Sequence, residues 1–355
     1  MWLLKMLKQL LLHFNANKMD ILSTIYPWQA ESWQQLNQNI HRMPHALLLH
    51  GRTGIGKYDF ARHLSQALLC EHKTESGLAC GQCSSCHWYN DESHPDFRLL
   101  SPEQDADTED DVISSKKNKK KTQISVVQIR ELTSFLSLSS HRSGGLRIVL
   151  IHPAEALNLA SANALLKMLE EPAENVIFIL VAHQIQRLLP TILSRCQKVT
   201  MPIPKENEAL AWLDGQGVAN AKPQLAYMEG SPIKVFAEQS QFNQLTETWR
   251  ILALGPKLEP HLAAPAILSH SVEIGVIALQ KWLYDLLAMR LGQHVRYHLQ
   301  YTDALQVLAE KVNLSRLLDL QKKATEMRKL ALHPLNQELQ METLLLDYTR
   351  SFTGQ

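Results

Sequence analysis

Three short strings in this chain of 355 residues hold the residue types that chemistry needs. The first is Gly51-Arg52-Thr53-Gly54-Ile55-Gly56-Lys57-Tyr58. It follows a short apolar run and opens an amphipathic stretch, the setting of a phosphate-binding loop. Glycines let backbone wrap closely around phosphates, and a helix N-terminus adds amide donors and a positive dipole. Gly51, Gly54, Gly56 and Lys57 are thus the candidate nucleotide-binding residues, with Lys57 reaching the terminal phosphates. A working loop next places Ser or Thr, whose hydroxyl holds Mg²⁺. Here the residue is Tyr58, whose phenol lies too far from its own backbone for that task. A second apolar strand should end in an acid that orders the metal and activates water. After Ile148–Ile151 come His152-Pro153-Ala154-Glu155, and Glu155, three residues late, is expected to face elsewhere. With both metal-ordering elements missing, hydrolysis loses several kcal/mol of transition-state stabilisation. The fold is expected to be kept for its shape; passive nucleotide binding stays open.

The second string is Cys70, Cys80, Cys83 and Cys86, spaced C-x9-C-x2-C-x2-C. The overlapping C-x2-C steps let three thiolates converge, and the fourth arrives from the end of the preceding helix. Four cysteines suit structural, tetrahedral Zn²⁺. Buried free thiols and an iron–sulfur cluster are the alternatives. His87 and His94 could replace a ligand, but a full set of four makes them unnecessary. Cysteines clustered this way indicate a metal in a reducing, cytoplasmic compartment rather than a disulfide framework. The third string is Thr191-Ile192-Leu193-Ser194-Arg195-Cys196. An arginine at the edge of a phosphate-loop domain can neutralise charge on a neighbour's transferring phosphate. By spacing alone, Arg195 reads as an ordinary solvated or paired surface arginine.

Elements must position these residues. Ala46–Leu49, Arg147–Ile151 and Val176–Val181 are short continuous apolar runs, as expected of buried parallel strands. Helical periodicity lies at Tyr58–Leu69, Val126–Leu138 and Leu159–Glu170, the last ended by Pro172. Strand–helix alternation predicts an α/β core with a parallel sheet covered on both faces. After Pro202 and Pro204 the strands stop. Glu206–Gly215 and Ala221–Gln239 read as two helices of a small unit. Amphipathic helices are then expected within Ile267–Leu291, at Ala304–Leu318 and at Leu335–Tyr348, forming a bundle.

Composition sets the outer limits. Apolar residues make up 45% of the chain, enough for packed cores, and its length suits two or three domains. Thirty-six Lys and Arg against 35 Asp and Glu leave +1, which argues against a broad basic face that grips nucleic acid alone. No apolar run approaches about 18 residues, so no membrane span is expected. Residues 1–18 carry three lysines and no acid, and are read as an extension outside the fold ahead of Met19. A membrane-touching amphipathic helix is the alternative for them. Six acids between Glu103 and Asp111 face five lysines between Lys116 and Lys121, so 101–123 reads as a disordered, solvated loop.

Several strings together resemble one family: His45-Ala46-Leu47-Leu48, the altered phosphate loop, the four cysteines and His94-Pro95-Asp96. Ser161-Ala162-Asn163-Ala164-Leu165-Leu166-Lys167-Met168-Leu169-Glu170-Glu171-Pro172, Ser194-Arg195-Cys196 and His333-Pro334-Leu335-Asn336 complete the set. The chain is identified by them as similar to the bacterial clamp-loader proteins of the AAA+ class, subunits of DNA polymerase III, over about residues 21–350. The resemblance implies an AAA+ core at 19–203, a small helical lid at 204–241 and a helical collar at 242–355. It implies a ring of five subunits, with ATP-hydrolysing gamma/tau subunits and a delta subunit as partners. That ring opens a sliding clamp and loads it on primer–template DNA. The hydrolysing members keep Ser or Thr after the loop lysine, an Asp-Glu pair at His152-Pro153 and an arginine in a Gly-Ser-x-Arg motif. Here Gly230-Ser231-Pro232-Ile233 lacks that arginine. The departures imply a non-hydrolysing member, a static jaw that lends Arg195 to a neighbour in trans. It would have no intrinsic catalysis, though it belongs to a polymerase holoenzyme. An active ATPase subunit with unusual metal-ordering residues is the alternative, and a stand-alone zinc and nucleic-acid binder is a third. The resemblance assigns nothing to residues 1–18 or 101–123.

Overall fold

A computed structural model describes residues 25–102, 123–137, 145–269, 271–330 and 336–352. The extension at 1–18, residues 103–122 of the charged insertion, and His333-Pro334-Leu335 lie outside the described residues. The chain divides into two compact units, Met1–Lys205 and Glu206–Gln355.

The first unit is built on a five-stranded sheet of order β2-β3-β4-β1-β5, every pair parallel. Strands β1 (Ala46–His50), β3 (Arg147–Ile151) and β4 (Val176–Ala182) are the three anticipated ones. They are buried on both faces, so their side chains feed two cores. Ala46 and Leu48 join Ile129, Leu165 and Phe178 on one face. Leu47 and Leu49 join Phe60, Leu64 and Ile179 on the other. Each fully buried aliphatic side chain contributes about 1.5–3 kcal/mol. The edge strands β2 (Phe97–Leu100) and β5 (Gln197–Thr200) are additions to the expected set. Their half-exposed sequences, with Arg98, Gln197 and Lys198, carry no continuous apolar run.

Helices α1 (Ala30–Gln38), α2 (Lys57–Leu69), α3 (Ser84–Asn90), α4 (Val126–Ser137), α5 (Leu159–Glu170) and α6 (Pro190–Leu193) belong to this unit. α5 has the limits its periodicity predicts. Asn158 caps it by accepting from the Ser161 N–H at 2.9 Å, which satisfies one otherwise orphaned donor.

The second unit is helical among its described residues. It contains α7 (Glu206–Gly215), α8 (Ala221–Tyr227), α9 (Pro232–Ala237), α10 (Gln239–Ala253) and α11 (Pro260–Leu268). α12 (Val272–Arg290), α13 (Thr302–Lys311), α14 (Leu314–Leu330) and α15 (Gln337–Arg350) follow. The single helix expected at Ala221–Gln239 is two helices. Glu229 and Gly230 turn left-handed, at φ 59° and 77°, and Pro232 starts the next helix. The helix expected at Ala304–Leu318 also breaks, because the Asn313 side chain accepts from the Arg316 N–H and restarts it. One buried cluster runs from Ala209 to Phe352 through Trp249, Trp282 and Tyr348. Among the described residues, no single helix is long and apolar enough to cross a membrane.

Candidate functional site

The glycine loop joins β1 to α2, in the strand–loop–helix setting the sequence predicts. Gly51 has φ 151°, and a Cβ there would lie 3.2 Å from the Met201 carbonyl oxygen. Gly56, at φ 83°, is the N-cap of α2. The loop is pinned from outside as well. The Ile55 carbonyl accepts from Trp28 Nε1 at 3.0 Å and from Gln29 Nε2 at 2.8 Å. Lys57 is only 2% exposed, and its ammonium donates to the Arg52 carbonyl of its own loop. Burial lowers the Lys57 pKa to about 8, with Glu155 opposing the shift.

The two positions where metal ordering would occur are filled by aromatic rings in contact. Tyr58 stacks on His152 with centroids 4.3 Å apart and planes 25° from parallel. His183, just beyond β4, meets His152 edge-on at 5.4 Å. Burial, then the nearby His183 and Lys57, lower the His152 pKa to about 4. Burial and Lys57 lower His183 too. At neutral pH the His152 imidazole is therefore uncharged. Mg²⁺ demands hard oxygen ligands in octahedral array, which these imidazoles do not supply. The expectation that Glu155 faces elsewhere needs correction. A short 3-10 turn, Ala154–Ala156, carries it back to the end of β4. There its carboxylate accepts the His183 backbone N–H at 3.0 and 3.2 Å.

The four cysteines come together as spaced. Their sulfurs all lie within 4.8 Å of one another. The pairs Cys70–Cys83 and Cys80–Cys86 are each 3.9 Å apart. A tetrahedral ion with metal–sulfur bonds of about 2.3 Å needs sulfurs roughly 3.8 Å apart. Backbone N–H groups point at the sulfurs: Cys80 to Cys70, Cys83 to Cys80 and Cys86 to Cys83, at 3.2 to 3.4 Å. Donors from Gln82 and Cys83 bring the Cys80 thiol down to about 6, favouring the ligating thiolate. The donor set and its spacing fit a metal such as zinc. His94 stands outside this set. Its Nδ1 accepts from the Asp96 N–H at 3.1 Å, so its Nε2 carries the proton and donates to Ser85 Oγ at 2.8 Å. Ser85 in turn donates to the Leu69 carbonyl at 2.8 Å, clasping α3 to the end of α2.

Arg195 lies between α6 and β5, its side chain one-third exposed. Its Nη1 donates to the Thr191 carbonyl at 3.0 Å, and its Nη2 pairs with Glu170 Oε1 at 2.5 Å. The phosphate-loop and cysteine residues thus gather into their two local sites, and Arg195 stands on the domain surface. Sequence reasoning missed Trp28, Gln29 and His183 around the loop, and the pairing of Glu170 with Arg195. These partners are 25 or more residues away along the chain, so no local spacing announces them.

Comparison with known proteins places these features in a family. The description "DNA polymerase III, delta subunit" matches residues 28–205. The DNA polymerase III subunit delta' of Pseudomonas aeruginosa is 31% identical over 348 residues, which are 92% of this chain and 98% of that protein. The subunit delta' of Haemophilus influenzae is 34% identical over 194 residues, 54% of each chain. A gamma subunit-related protein from Thermotoga maritima is similar in structure, with a TM-score of 0.41, 16% identity and coverage of 90% of this chain and 99% of that one. Identity at this level along almost the whole of a relative is kinship rather than a shared motif, and the chain belongs to the delta-prime family of DNA polymerase III clamp-loader subunits.

Proposed function

We propose that this clamp-loader subunit does not hydrolyse ATP itself and acts on the ATP site of a neighbour. Its phosphate-loop core, 19–203, is the rigid jaw against which ATP-driven gamma/tau and delta subunits move. Segments 204–241 and 242–355 serve as lid and collar, the collar joining five subunits in a ring. The ring opens the sliding clamp and loads it on primer–template DNA in the cytoplasm. Zn²⁺ at Cys70, Cys80, Cys83 and Cys86 is structural. Arg195 extends from the edge of the core to the phosphates held by the adjacent subunit.

The observation that carries the reading is the Tyr58–His152 stack. It fills both positions that would order Mg²⁺ with groups that bind it poorly, while Lys57 is held by its own loop. The planar, always-charged guanidinium of Arg195 suits phosphate charge in a way a lysine would not. The test measures ATP turnover with Mg²⁺, first by the isolated protein and then by the reconstituted assembly. The isolated chain should show no turnover above background. Arg195→Ala should lower turnover by the assembly roughly 10³-fold. Turnover on the order of 1 s⁻¹ by the isolated chain would instead establish the active-ATPase alternative.

A further inference from the structure

Arg195 is held in a particular way. A guanidinium has five N–H donors in a rigid fork. Nη1 reaches the Thr191 carbonyl at 3.0 Å and lies 3.4 Å from Ser194 Oγ. Nη2 reaches Glu170 Oε1 at 2.5 Å. The Nε–H and the second Nη2–H have no partner among the described residues. The holders are well anchored: Glu170 is the last residue of α5, whose other end is capped by Asn158. Thr191 belongs to α6, which packs on α5. Yet the ion pair itself is open, with 33% of the Arg195 side chain and 48% of the Glu170 side chain exposed. An exposed pair of this kind adds little to folding stability. What it does fix is direction, because a long side chain held at two of its nitrogens has lost most of its rotamer freedom.

We propose that Glu170 is a positioning residue for Arg195. Its carboxylate and the Thr191 carbonyl hold the guanidinium from one side and leave the remaining N–H groups to meet phosphate oxygens of a nucleotide bound by a neighbouring subunit. The inference rests on the trans-arginine reading given above. Glu170 itself touches no nucleotide; it acts through Arg195, as an outer-shell partner orients a ligand. A finger aimed before the neighbour arrives loses less conformational freedom on forming the contact.

The test uses the full chain in the reconstituted assembly and reads kcat and KM for ATP. Glu170→Ala should lower kcat about tenfold with little change in KM. Glu170→Gln keeps an acceptor oxygen at the same place and should restore most of that loss. In an Arg195→Ala background, Glu170→Ala should cost nothing further, because there is no longer a guanidinium to aim. A loss from Glu170→Ala that persists in that background marks a merely structural role and overturns the proposal. So does an unchanged kcat for Glu170→Ala when Arg195→Ala alone abolishes turnover; the finger would then stand without its positioner. If Arg195→Ala itself leaves turnover intact, the trans-arginine reading fails and this one falls with it.

Discussion

His152 stands where a metal-ordering acid would be needed, and its surroundings keep it neutral. Its folded pKa of about 4 lies below the ordinary 6.5 because burial, His183 and Lys57 all oppose the imidazolium. His63 on α2 is lowered to about 4 by burial and Arg62. Between pH 6.5 and 4 the unfolded chain therefore holds more protons at these two sites than the folded chain does. Stability from this source is complete above pH 6.5 and is lost as pH falls toward 4. Each histidine should account for about 1–2 kcal/mol after allowance for partial exposure. His152→Phe keeps an aromatic face for Tyr58 and removes one titration. Urea unfolding across that pH range should then show a shallower acid loss than the parent. An unchanged slope would mean that His152 is not held neutral.

At the scale of elements, legibility followed burial and locality. β1, β3 and β4 could be read because strands covered on both faces must be apolar without interruption. β2 and β5 could not, since an edge strand half in water needs no such run. α5 was legible to the residue because its start and stop signals lie in adjacent sequence, the cap at Asn158 and the break at Pro172. The helix expected at Ala221–Gln239 failed because periodicity alone is blind to the left-handed turn at Glu229 and Gly230. The cysteine site was legible because all four donors fall within 17 consecutive positions, Cys70 to Cys86. The clasp beside it was not: Ser85, His94 and the Leu69 carbonyl are polar groups whose pairing depends on the fold. That small segment has little apolar surface of its own, so on the zinc reading proposed above the metal would supply its folding energy. Elemental analysis should find one zinc per chain. A chelator should expose residues 71–83 to proteolysis while the sheet persists. Iron in place of zinc, or a protease-resistant knuckle after metal removal, would refute the structural-zinc assignment.

The whole molecule is nearly neutral, and its two units have separate cores. Neutrality agrees with the role proposed above, in which the main surfaces meet protein and the assembled ring rather than one basic face holds DNA. The cores differ in kind. One is a sheet with apolar clusters on its two faces, and the other is a helical cluster centred on aromatic rings. Within the helical unit Tyr348 is completely buried, accepts from Trp282 Nε1 at 2.9 Å and donates to the Leu252 carbonyl at 2.7 Å. Nearby, the buried Asp285 carboxylate accepts backbone N–H groups of Arg296, Tyr297 and His298 at 2.8 to 3.3 Å. Removing the Tyr348 hydroxyl leaves the buried Trp282 Nε1–H without its acceptor, at a cost of about 1–3 kcal/mol. Separate cores lead us to expect two unfolding transitions in urea, one per unit. Single-tryptophan versions can report them: Trp33 and Trp88 follow the first unit, Trp249 and Trp282 the second. Metal chelation should shift only the transition reported by the first pair. Tyr348→Phe should shift only the one reported by the second. A single transition that moves with either perturbation would show that the two units fold as one, and the proposal of a core that acts as a rigid jaw independently of the helices that follow it would fail.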